Sequence, residues 1–256
     1  MESVSLHGVN VPALGLGTWP MTGTQCTEAV TTALEFGYRH VDTAQMYDNE
    51  DAIGTAIADS SVDRDDVFVT TKLLRENLRR DDALASFQRS LERLGTEYVD
   101  LLLIHAPNPD VPIDETIAVM NRLQDEGSVR HIGVSNFSIA HLQAAVAASE
   151  TPILTNQVLY HPYRDQSALL EFCRDNEIML TAYSPLAEGQ IATDETLAEI
   201  GATYDKTAAQ VALRWLLQQE QVSTIPKASS REHLRENIDV FDFELTDAEM
   251  DRIFAL

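Results

Sequence analysis

Polar residues recur at the ends of short apolar runs in this chain: Asp42, Lys72, His105, Ser135 with Asn136, Gln157, Tyr183 and Lys227. A carboxylate, an ammonium and an imidazole brought to one place, with the phenol of Tyr47 close after Asp42, make a proton-transfer set. A phenol with an ordinary pKa of about 10 is a poor acid at neutral pH. A nearby ammonium favours its ionised form, and a carboxylate beside the ammonium keeps that charge in place and aimed. Each residue alone has a plain structural reading, since Asp42 could cap a helix, His105 could be a satisfied core histidine and Tyr183 could be packing. Their common placement at run ends is what suggests chemistry.

The apolar runs alternate with amphipathic segments along the whole chain, the pattern of βα units around a parallel sheet. The runs expected as strands are 13–17, 39–42, 67–72, 99–105, 129–135, 153–158, 179–183 and 222–226, and helices are expected at 83–94, 113–126, 139–148, 167–176 and 231–237. About eight strands is the number a closed (β/α)8 TIM barrel requires. All the polar run ends would then share the carboxyl rim, where such barrels keep their active sites. Residues 3–6 and 10–12 around His7-Gly8 read as an N-terminal β-hairpin closing the bottom of the barrel. Thr207 with Gln210, and Thr246 with Glu249, have the spacing of helix capping boxes.

The chain has 256 residues, 44% of them apolar, which suits one barrel domain over residues 1–256. No run approaches the roughly 18 apolar residues of a membrane helix, and the first residues lack the pattern of a secretory leader. Cys26 and Cys173 have no metal-type or CxxC spacing, so buried thiols in a cytoplasmic protein are expected. His7, His40, His131, His141 and His161 likewise lack ligand spacing, and no metal is expected. The formal charge of −23 disfavours nucleic acid and anionic lipid as partners. Only three lysines occur, Lys72, Lys206 and Lys227. An acidic, lysine-poor surface is what a salt-rich cytoplasm would favour, so a halophilic source is expected.

Several segments, in order, resemble the aldo-keto reductase family, most closely its short prokaryotic type. They are G-Y-R-H-V-D-T-A-Q-M-Y (residues 37–47), T-T-K (70–72), Y-V-D-L-L-L-I-H-A-P (98–107), G-V-S-N-F (133–137), N-Q-V (156–158), A-Y-S-P-L (182–186) and I-P-K (225–227). The resemblance runs from L-G-L-G-T-W (14–19) to the D-V-F-D-F-E-L-T stretch ending at Thr246. It implies carbonyl reduction, with Tyr47 as general acid, Lys72 as its activator, Asp42 as the orienting partner of Lys72 and His105 as a donor to the substrate oxygen. It also implies an NAD(P)(H) cofactor, the nicotinamide stacking on Tyr183 with Ser135, Asn136 and Gln157 at its carboxamide. Ser184, Pro185, Leu186, Ile225, Pro226, Lys227, Ser229, His233 and Asn237 would hold the rest of the dinucleotide. The absence of a GxGxxG after the first strand agrees with a barrel rather than a Rossmann site.

One stretch departs from the family pattern: I-P-K-A-S-S-R-E-H (225–233) has Ala228, Ser230 and His233 where relatives place a serine and basic residues that grip the 2′-phosphate of NADP. Lys227, with Ser229 or Arg231, is left for that task; NADPH is the expected cofactor, with NADH as the alternative. Trp19, Leu73, Leu74, Ala106 and Phe137 are the expected pocket walls. Leu73 and Ala106 stand where many relatives have aromatic residues, so a wide pocket is expected; it favours several small aldehydes, α-dicarbonyls or keto-sugars, and the protein is expected to be a monomer. Two other classes fit the same fold: a regulatory protein that binds nucleotide with little turnover, and a barrel isomerase or aldolase with Lys72 as a Schiff-base nucleophile.

Overall fold

The computed structural model describes residues 2–256. The chain opens with the expected hairpin, β1 (Ser3–Leu6) and β2 (Val9–Pro12), paired antiparallel with Leu6 opposite Val9. Its two-residue turn has positive φ at both His7 (51°) and Gly8 (78°), the backbone that matches the twist of a hairpin. Eight parallel strands follow: β3 (Leu16–Gly17), β4 (His40–Asp42), β5 (Phe68–Leu73), β6 (Val99–Ile104), β7 (Val129–Ser135), β8 (Ile153–Leu159), β9 (Met179–Tyr183) and β10 (Val222–Thr224), in the spatial order of the chain. Helices α1 (Gly23–Glu35), α2 (Glu50–Ala58), α3 (Arg80–Leu94), α4 (Ile113–Asp125), α5 (Ile139–Ala148), α6 (Ser167–Asp175), α7 (Glu195–Ala202) and α8 (Ala208–Leu217) fill the connections, and α9 (Arg231–Ile238) and α10 (Asp247–Phe254) follow the last strand.

The barrel closes through the segment that leads into β3. Gly15 N donates to Thr224 O (2.8 Å), Thr224 N to Ala13 O (2.8 Å) and Gly17 N to Pro226 O (3.1 Å). Regular pairing is shorter here than the runs 13–17 and 222–226 suggest. Pro226 has no N–H to offer, so the ladder at the seam continues as isolated bridges, Leu14 with Thr224 and Gly17 with Lys227. The seam is also tight, because a Cβ on Gly17 would stand 2.4 Å from Ile225 O.

The strands are buried on both faces, as β6 illustrates with every residue buried, since one face fills the barrel and the other meets the helices. Leu6 and Val11 of the hairpin pack with Leu101, Leu103, Leu154 and Met179, plugging the amino end of the barrel. Both capping boxes are formed, at Thr207 with Gln210 and at Thr246 with Glu249, and Trp215 packs inside α8 at 1% exposure. Lys206 ties the α7–α8 turn to the segment after α9: its Nζ donates to Asp239 O (3.0 Å) and pairs with the carboxylates of Asp239 (2.9 Å) and Asp242 (2.8 Å). Among the described residues no helix is long and apolar enough to cross a membrane. With one end plugged by the hairpin, the carboxyl rim is the end open to ligands.

Candidate active site

Because the eight strands are parallel, Asp42 at the end of β4, Lys72 near the end of β5 and His105 just past β6 emerge on the same rim. Lys72 and Asp42 form a salt bridge with side chains 0% and 2% exposed. Lys72 Nζ also donates to Thr43 O (2.8 Å) and reaches Tyr47 Oη at 3.4 Å. The second carboxylate oxygen of Asp42 accepts from Gln157 Nε2 (2.7 Å), so Asp42 is held from two strands at once. Tyr47 lies on a short 3-10 turn (Gln45–Tyr47), with its ring 5.2 Å from that of Trp19 and 5.7 Å, edge-on, from that of His105.

Burial alone pushes the Lys72 ammonium toward neutrality, yet Asp42 and Tyr47 hold its pKa above the ordinary lysine value. For Tyr47 the balance goes the other way from the simple expectation. Burial raises the phenol pKa by more than Lys72 lowers it, and the net direction is up. Tyr47 is therefore a protonated phenol in the resting site, next to a cation that stabilises the phenolate once a proton leaves. His105 is pushed down to about 4, first by burial and then by Lys72. Its Nδ1 is buried with no partner, so the proton of the neutral ring is assigned to Nε2, the nitrogen left to face the cavity that His105 lines.

A cavity of about 340 Å³ opens over this cluster, lined by Gly17, Thr18, Trp19, Asp42, Met46, Tyr47, His105, Ser135, Asn136, Gln157, Tyr183, Ser184, Glu188, Ile225 and Lys227. The expected catalytic residues other than Lys72 thus line the cavity together, and Lys72 lies behind them, fully enclosed. Of the expected pocket walls, only Trp19 is part of the lining. Leu73 (0% exposed) and Phe137 (2%) belong to the hydrophobic core, and Leu74 and Ala106 also lie outside the lining. Alternation along β5 explains Leu73, since Lys72 points into the barrel and its neighbour must point outward to the helices. Gly17, Thr18, Met46 and Glu188 line the cavity without having been singled out; the L-G-L-G-T-W motif held the signal for the first two.

The chain matches the model of the aldo/keto reductase family over residues 13–256. The chain belongs to the aldo/keto reductase family. It is 42% identical to glyoxal reductase of Bacillus subtilis over 257 residues, covering 100% of this chain and 92% of that protein. It is 40% identical to methylglyoxal reductase DkgB of Escherichia coli O157:H7 over 249 residues, covering 96% and 93%. A Bombyx mori aldo-keto reductase crystallised with NADP superposes with a TM-score of 0.91 at 34% identity, covering 99% of this chain and 92% of that one.

In this aldo/keto reductase the groups at the cavity wall fit a nicotinamide carboxamide by chemical type. Asn136, at φ 59°, donates through Nδ2 to His105 O (3.1 Å) and to Ser135 Oγ (3.1 Å), and its Oδ1 accepts from Tyr183 Oη (3.0 Å). Ser135 Oγ donates to Gln157 O (2.9 Å). Gln157 serves Asp42 through its Nε2, a tie between distant strands that only the fold creates. Ser184, Ile225 and Lys227 reach the cavity, whereas Pro185, Leu186, Pro226, Ser229, His233 and Asn237 lie on the segments beyond it. Arg231 is drawn away from the cavity, pairing with Glu35 (3.0 Å) and stacking on Phe36 at 4.6 Å. Ser230 spends its hydroxyl as the N-cap of α9, accepting from His233 N (3.1 Å). Among the described residues the Lys227 ammonium has one hydrogen bond, a long one to Ser229 Oγ at 3.4 Å.

The depressed pKa of His105 sets a pH test. A ring neutral down to about pH 4 gives kcat/KM no limb at the ordinary histidine value near 6.5. The profile for carbonyl reduction should stay flat from pH 8 to about pH 5. A limb near 6.5 that disappears in His105→Gln would contradict the neutral-donor assignment.

Proposed function

We propose that this chain reduces small aldehydes and ketones to alcohols with a nicotinamide cofactor, NADPH in preference to NADH, taking a range of substrates that includes α-dicarbonyls. The observation that carries the reading is the enclosed Lys72–Asp42 pair with Tyr47 Oη 3.4 Å from the ammonium, opening on a cavity of about 340 Å³. The names of the glyoxal and methylglyoxal reductases point to the same substrate class. The nicotinamide, when bound, supplies the hydride. Tyr47 gives its phenolic proton to the carbonyl oxygen, and Lys72 stabilises the phenolate left behind. Asp42, fixed by Gln157, keeps Lys72 charged and aimed. His105 donates from Nε2 to the same oxygen and so supports the negative charge that grows there. Ser135, Asn136, Gln157 and Tyr183 would hold the nicotinamide, and Ser184, Pro185, Leu186, Ile225, Pro226, Lys227, Ser229, His233 and Asn237 the remainder.

The preference for NADPH rests on Lys227, the cation that lines the cavity. Lys227→Ala should weaken NADPH binding about tenfold, which is about 1.4 kcal/mol, and leave NADH within twofold, measured as Kd by quenching of protein fluorescence. Unchanged affinity for both would remove Lys227 from the phosphate site.

Breadth of substrate is supported by two exposed side chains at the cavity, Trp19 (53%) and Met46 (48%). We also propose one barrel domain acting as a monomer in the cytoplasm. The other exposed large apolar residues, Val146, Phe254 and Leu256, are few, and Cys26 and Cys173 are buried free thiols. The deciding experiment follows NADPH and NADH absorbance with methylglyoxal and an aromatic aldehyde, in low and high salt. Oxidation that needs the carbonyl supports the reading; tight nucleotide binding without oxidation under any condition would favour a regulatory protein.

A further inference from the structure

Tyr47 sits on an arch, Thr43 to Asn49, that joins β4 to α2. On the outer side the arch is tied by Gln45, whose Oε1 accepts from Leu74 N (2.9 Å) and Asn77 Nδ2 (3.1 Å). On the inner side stands Asn49, 0% exposed. Its Oδ1 accepts from Thr43 Oγ1 (2.6 Å), and its Nδ2 donates to Thr18 Oγ1 (3.2 Å) and to Met21 O (2.8 Å). Thr18 Oγ1 in turn donates to Asp42 O (2.8 Å), and the carbonyl of Thr43 is itself an acceptor for Lys72 Nζ (2.8 Å). One enclosed amide thus connects the two ends of the arch, the loop between Thr18 and Met21 that carries Trp19, and the backbone on which Asp42 and the Lys72 ammonium rest.

We propose that Asn49, acting through Thr43 and Thr18, is a positioning residue that sets the Tyr47 hydroxyl and the Trp19 wall as one unit over the Lys72–Asp42 pair. The inference builds on the reductase reading. Buried polar networks hold geometry best when every member is satisfied, and losing one partner leaves the others without a fixed arrangement. Proton transfer is sensitive to such a loss, because a displacement of about 1 Å can cost on the order of a hundredfold in rate. The groups that face Tyr47 are Lys72, Asp42, His105, Tyr183 and Trp19, and of these Lys72, Asp42 and Trp19 are held by elements that Asn49 touches.

The test uses Thr43→Val, which keeps the shape of the side chain and removes the hydroxyl, Thr43→Ser, which restores it, and Asn49→Ala. Thr43→Val and Asn49→Ala should lower kcat roughly ten- to a hundredfold and raise KM for the carbonyl, while Kd for NADPH stays within about twofold. Thr43→Ser should stay within about twofold of the parent throughout. The alkaline limb of the pH–rate profile should shift in the first two variants, and so should the titration of Tyr47 in nucleotide-free protein labelled with 13C at tyrosine Cζ, with its resonance assigned by Tyr47→Phe. Should Asn49→Ala fail to fold, Thr43→Val against Thr43→Ser decides. Folded variants with the kcat, pH profile and Tyr47 titration of the parent would overturn the role of Asn49. If the parent itself reduces no carbonyl, the reductase reading falls, and the Tyr47 titration still judges Asn49.

Discussion

Tyr47→Phe should abolish carbonyl reduction by roughly three orders of magnitude or more, while nucleotide affinity stays within about twofold of the parent. The substitution removes one oxygen from a ring whose aromatic contacts, with Trp19 at 5.2 Å and His105 at 5.7 Å, stay in place. Lys72 keeps its tie to Asp42 and to Thr43 O. What is lost is the donated proton, and the Lys72 ammonium, enclosed behind the wall, does not reach the cavity to replace it. Parallel measurement of kcat and of NADPH Kd separates this from a folding defect. A variant retaining a tenth of the parent rate would show that His105 or solvent protonates the product oxygen.

Lys72→Met should be damaging in two ways, to rate and to stability. The side chain is replaced by one of similar length, but the buried Asp42 carboxylate loses its cation and keeps Gln157 as a neutral donor. Breaking a buried ion pair by removing one partner costs about 3–5 kcal/mol, which for a protein of this size lowers the melting temperature by roughly ten degrees. Removing the second charge as well, in Lys72→Met with Asp42→Asn, should recover most of that loss and none of the rate. Calorimetry on the single and double variants checks the first statement and NADPH oxidation the second. A single variant melting with the parent would mean that the carboxylate is protonated or hydrated when Lys72 is gone.

The barrel was readable because parallel strands buried on both faces leave near-continuous apolar runs, and because the polar residues ending those runs were all destined for one rim. Side-chain direction follows in part from strand alternation. Leu73 follows an inward lysine and must face outward, and Phe137 follows Asn136, whose left-handed backbone (φ 59°) turns the chain at that point. Contacts between distant segments were beyond the sequence. That Glu35 at the end of α1 draws Arg231 aside, that Gln157 on β8 supports Asp42 on β4, and that Asn49 gathers Thr18 and Thr43 all depend on folded proximity. The net direction at Tyr47 depends on folded proximity too: the neighbouring lysine is inferable from the sequence, but the depth of burial that outweighs it is not.

The three lysines have a practical consequence. Lys72 is sealed under the cavity and Lys206 is 7% exposed within its pair of aspartates, so the side-chain amine open to solvent is Lys227, at the cavity mouth. Where this protein is fixed to a resin or sensor chip through a lysine side chain, the tether sits at its own binding cleft. Immobilised material would then look inactive for a reason unrelated to folding. A cysteine introduced on the hairpin, at the sealed end of the barrel, offers an attachment point that leaves the working rim facing the solution.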